Sequence, residues 1–141
     1  MPRDIILPMA ALALWTMFVL LLIPILRARA AFAGRVHIKD FRYGESASVP
    51  GDVSLPNRDY MNLLELPVLF YAACLAHMAS MRIDPLMEQL AWAFVAMRIV
   101  HSLIHLTYNN VLHRLVAFGI GVIIVQLMWA RHLWWLWQAS G

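Results

Sequence analysis

Polar and hydrophobic positions are segregated along this chain into blocks. Four apolar runs, Ile5 to Leu26, Tyr60 to Ser80, Leu86 to Tyr108 and Leu115 to Trp137, are separated by two short polar joints and one long one. A helix rising about 1.5 Å per residue crosses a hydrocarbon core of about 30 Å in roughly 20 residues, so each run is long enough to span a bilayer. The pattern predicts an all-α membrane protein, one domain over residues 1–141 built as a bundle of four transmembrane helices. The first run is too long for the core of a signal peptide and further hydrophobic segments follow it, so it reads as a retained span.

The joints support that count. "RIDP" ahead of Leu86 and "NN" at Asn109 and Asn110 are turn-forming sequences, and short turns make antiparallel neighbours of the helices they join. The first connection, 27–59, is different: it carries Gly34, Gly44, Pro50, Gly51 and Pro56. Connections of that length are usually functional or disordered, and function is the expectation here.

Composition agrees with a membrane protein, since 62% of the 141 residues are hydrophobic and only 13% charged, which excludes an ordinary soluble domain. Charge then orients the bundle. Arg27, Arg29, Arg35, Lys39, Arg42, Arg58 and Arg114 fall on one side and Arg3, Arg82 and Arg131 on the other, so both termini are expected to face away from the cytoplasm. The pI of 9.5 reflects that basic loop, which anionic lipid heads attract, and no nucleic-acid partner is called for. Trp129, Trp134, Trp135 and Trp137 suit an aromatic belt at the opposite interface. The single cysteine, Cys74, excludes an internal disulfide and reads as a packed thiol.

What changes the picture is polarity inside the spans. In "RDYMNLLE", Arg58, Asn62 and Glu65 lie within an arc of about 60° on one helix face, with Glu65 roughly two turns into the bilayer. In "MRIVHSLIH", Arg98, His101 and His105 share a similar arc of about 60° on the third helix. Glu65 reads as the only acid well inside a span and Arg98 as the deepest charge. An ion pair between them, within a subunit or across an interface, is then the least costly way to hold both. Ala72 and Ala76, farther along the Glu65 face, would let a neighbouring helix approach closely.

Arg114 sits just past the asparagine turn, where its guanidinium adds to the positive end of the fourth helix. Such a spot can bind an anion or stabilise a thiolate, although a snorkelling anchor is an equal reading of position alone. His101 and His105 with Glu65, or His77 and His113, have the residue types of a metal site. Buried histidines are more often hydrogen-bonded packing residues, and no metal is assigned.

Taken together, "RDYMNLLE", "RIVHSLIH", Arg114 and the "LRARAAFA" that ends the first span resemble the MAPEG family, membrane-associated proteins in eicosanoid and glutathione metabolism. "NLLELPVLFY" is particularly similar to its bacterial branch, which would place the chain in a bacterial inner membrane. The resemblance implies a homotrimer of four-helix protomers binding glutathione as co-substrate between subunits near the cytoplasmic face. It implies that Arg27 or Arg29, with Arg58, Asn62, Glu65, Arg98, His101 and His105, holds glutathione, and that Arg114 activates its thiol. A glutathione-dependent transferase or peroxidase would use that thiolate against a lipophilic small molecule from the bilayer. A non-catalytic protein that keeps the fold, or an accessory subunit of a larger complex, is the alternative. Leu115 stands where prostaglandin-forming members carry a serine, so isomerase chemistry of that kind is not implied.

Overall fold

The four apolar runs become four long helices in the computed structural model, which describes residues 2–80 and 85–139. These are α1 (Pro2–Phe32), α2 (Gly51–Ala79), α3 (Pro85–Leu106) and α4 (Val111–Ala139), with a four-residue 3-10 helix, Ile38–Phe41, in the first connection. Each of the four is long and apolar enough to cross a membrane. The "RIDP" joint falls largely on residues 81–84, outside the described residues.

Most helix ends lie beyond the apolar blocks, which corrects the expected bounds, whereas α2 and α3 stop at Ala79 and Leu106, just short of them. α1 continues from Leu26 through "RARAAF", whose arginines and alanines are strong helix formers. α2 begins at Gly51, nine residues before Tyr60, with Asp52 in its first turn where a carboxylate suits the helix dipole. The connection expected over 27–59 therefore shrinks to residues 33–50. Gly51 and Pro56, read as loop signals, belong to the helix, and Pro56 is buried there.

The shortened connection is folded onto the bundle. Val36, Val49 and Val53 pack with Ala30 into a small apolar cluster that Phe41 covers. Arg27 donates to Glu45 at 2.6 Å and lies 4.4 Å from the centre of the Phe41 ring. Arg35 makes a two-point bond to Asp52 at 2.8 and 3.0 Å, and that hydrogen bonding raises the Arg35 guanidinium further above its ordinary value. Because both groups are exposed, the pair adds little to stability.

Within the bundle α2 and α3 form the central pair, and each also packs against α1 and α4. Cross-links between them set the directions: Asp59 meets Ser102 and Asn62 meets Arg98, so α2 and α3 are antiparallel, while His101 meets Arg114 and turns α4 back again. Phe70 of α2 stacks on Phe94 of α3 at 4.6 Å in the middle of the main core. Gly121 of α4 faces this seam. A Cβ there would lie 3.7 to 3.8 Å from Phe94, Arg98 and Leu66, so α4 approaches α2 and α3 closely at that level.

The far end of the bundle is aromatic. The His77 and His132 rings lie 4.6 Å apart, Trp135 packs 5.3 Å from His77, and the Trp129 indole donates to the Leu69 carbonyl at 3.2 Å. The tryptophan group divides: Trp129 and Trp135 are half-buried in these contacts, whereas Trp134 and Trp137 are exposed.

Candidate functional site

The asparagine turn between α3 and α4 organises the opposite end. Asn109 adopts φ of 49°, a left-handed conformation that asparagine tolerates, and its N–H bonds back to the Ile104 carbonyl at 2.7 Å to close α3. Asn110 then caps α4, its side-chain oxygen accepting the His113 N–H at 3.1 Å. The Asn109 side-chain oxygen reaches forward and accepts from Arg114 Nη1 at 2.7 Å. Two adjacent residues thus end one helix, start the next and aim a guanidinium.

Beside that guanidinium lies a cavity of about 190 Å³ lined by Asn62, His101, Val111, Arg114, Leu115 and Phe118. It joins the polar residues of three helices to an apolar wall. His101 is fixed behind it, its Nδ1–H donating to the Arg114 carbonyl at 3.1 Å while its ring packs toward Phe118. Nε of Arg114 and Nε2 of His101 are buried and have no hydrogen-bond partner among the described residues.

Arg98 is fully buried at the back of this site, about 12 Å along α3 from its C-terminal residue Leu106. Its Nη2 donates to the Asn62 carbonyl at 2.7 Å, one residue before the carbonyl that Pro67 leaves without a helical partner. The plane of Arg98 also lies 5.5 Å from the Phe118 ring centre. Within the single chain the expected ion pair with Glu65 is not a direct contact. Glu65 is exposed on the outer side of α2, near enough to act on Arg98 only through space, because the helix turns its inward face elsewhere.

That inward face runs Pro56, Asp59, Leu63, Pro67, Phe70, Cys74 and His77, all buried. It puts into the core an acid that a connection over 27–59 would place outside the bundle. Asp59 is fully buried, accepts from the Ser102 hydroxyl, and acts electrostatically with His105, Arg98 and Arg114. Glu65 is therefore not the only acid within a span. The missed signal was periodic: stepping back by four from Leu63 on the same stripe reaches Asp59 once the helix is allowed to start before Tyr60.

The structure thus brings Asn62, Arg98, His101, His105 and Arg114 together, with His101 and His105 rings 6.2 Å apart, and leaves Arg58 and Glu65 exposed on α2. Arg27 is engaged by the connecting loop through Glu45 and Phe41. A larger cavity of about 320 Å³ lies between the ends of α1 and α2, near Arg29, Arg35 and Val53. Its Arg35 is already paired with Asp52, which leaves Arg29 as the other cation of that lining.

A four-helix membrane bundle with a buried arginine and buried histidines at one end defines a class, and one family model fits it. The model of the MAPEG family matches residues 5–134, nearly the whole chain, and the protein belongs to that family. The family includes glutathione transferases and peroxidases as well as non-catalytic members. No curated protein and no solved structure gives a significant match.

Proposed function

We propose that this protein is a glutathione-dependent transferase or peroxidase of the membrane-bound type, acting on lipophilic electrophiles or hydroperoxides that arrive from the bilayer. The observation that carries the reading is the cavity at Arg114, where a held guanidinium, its buried Nε without a hydrogen-bond partner among the described residues, meets an apolar wall. A free thiol with a pKa of about 8.5 is mostly protonated at neutral pH, and a guanidinium at a helix N-terminus favours the thiolate. Val111, Leu115 and Phe118 offer the lipophilic partner a dry surface beside the sulfur.

The cavity holds one end of the tripeptide only, because pockets that enclose a whole small ligand measure about 300–1,000 Å³. The remainder of glutathione would run along the exposed Arg58 and Glu65 face of α2, closed by a neighbouring copy in a homotrimer. There Arg58 would pair with a carboxylate, Asn62 would hydrogen-bond the peptide, and Glu65 would take the amine. Arg27 would join them by exchanging Glu45 for a glutathione carboxylate. In this reading the site faces the cytoplasm of a bacterial inner membrane, with both termini on the other side.

In proteoliposomes the purified protein should consume glutathione with a lipophilic aryl halide or a fatty-acid hydroperoxide faster than empty vesicles do. Tight glutathione binding without turnover of either class would favour the non-catalytic reading, for which the internal Arg98 network would serve packing alone.

A further inference from the structure

We propose that Asp59 sets the charge of the Arg114 cavity, offsetting the arginines of α3 and α4 and so deciding how strongly the cavity holds an anion. The carboxylate lies on the inward face of α2, fully buried, and one oxygen accepts the Ser102 hydroxyl of α3. Its other oxygen, Oδ1, is buried without a hydrogen-bond partner among the described residues. Local bonds therefore leave part of its field unquenched, and in a low-dielectric interior such a field reaches neighbouring charges more strongly than it would in water.

The charged and titratable groups that act on Asp59 through space are His105 and Arg98 on α3 and Arg114 on α4. Glu65, on the same helix, is exposed and also acts on Arg98 through space, and Arg58 acts on His105. Among the described residues α1 contributes no such group. Two arginines therefore share one buried acid. Three cross-links fix their relative placement: Asp59 to Ser102, Arg98 to the Asn62 carbonyl, and His101 to the Arg114 carbonyl. Asp59 is accordingly a positioning residue that acts through Arg98 and Arg114.

This inference rests on the reading that the cavity holds a thiolate, yet it can be tested without glutathione. Leu115 lines the cavity and is exposed, so Leu115→Cys places a reporter thiol there, while the native Cys74 is fully buried and does not compete. The pH dependence of alkylation of that thiol by iodoacetamide, in reconstituted full-length protein, reads the local potential. Adding Asp59→Asn keeps an oxygen acceptor for Ser102 and removes the charge. It should move the profile to lower pH and speed alkylation on its acidic limb by about tenfold, the equivalent of one pH unit. Ser102→Ala removes a donor that favours the ionised carboxylate and should move the profile the same way by a smaller amount. Coincident profiles for the parent and Asp59→Asn, or a shift to higher pH in either variant, would overturn the proposal. A shifted profile in a protein that binds no glutathione would leave the charge-setting role standing and remove the transferase reading instead.

Discussion

At the residue scale the site depends on a few side chains whose roles separate cleanly. Asn109 has two: its backbone takes the left-handed conformation that ends α3, and its side chain holds Arg114 Nη1. Asn109→Gly preserves the first and deletes the second. A hydrogen bond to a charged group contributes about 1.5–3 kcal/mol, so this variant should fold normally while glutathione turnover falls by roughly tenfold to a hundredfold. Circular dichroism and steady-state kinetics on the same preparation check both halves. The sequence made Arg98, His101 and Arg114 legible because arginines and histidines inside apolar runs stand out. Asp59 was hidden, since it precedes the apolar run and its neighbour Arg58 looks like an interfacial anchor. Only its place on the buried stripe with Leu63 and Phe70 reveals it.

At the scale of elements, the seam between α2, α3 and α4 carries the site. In a bilayer the lipid chains are as apolar as the core, so close packing and interhelical hydrogen bonds hold helices together. Gly121 lets α4 lie against Phe94 and the Arg98 stem, with room for a single methyl at ordinary contact distance. Gly121→Ala should therefore be tolerated or raise stability by about 0.5–1 kcal/mol through helix propensity. Gly121→Leu should lower it by about 1–3 kcal/mol by overpacking. Thermal unfolding of both variants in one detergent measures the difference. Hydropathy located all four helices but misjudged their ends, because "RARAAF" and the segment from Gly51 to Asp59 are helical without being apolar. The long first connection looked irregular for the same reason, and its fold depends on contacts far apart in the chain, such as Arg27 with Glu45.

At the scale of the whole molecule, the bundle has a covered polar face and an open one. Arg98 and Asp59 are enclosed by three helices, whereas Arg58 and Glu65 point outward from α2. Charged side chains facing lipid are costly, and in the proposed trimer a neighbouring copy would cover that face. Such a neighbour would also lengthen the cavity at Arg114 into a site that fits a tripeptide. Family membership and the general plan could be read from the sequence, but which α2 residues face inward could not, because both faces of that helix carry polar residues. The most direct test of the central claim is calorimetric titration of the reconstituted protein with glutathione, repeated on Arg114→Lys. Glutathione should bind the parent with proton release, and Arg114→Lys, whose ammonium cannot reproduce the planar guanidinium held by Asn109, should lose at least about tenfold in affinity together with that proton release. Equal affinity and equal proton release in the two proteins would contradict the assignment of Arg114 to the thiolate.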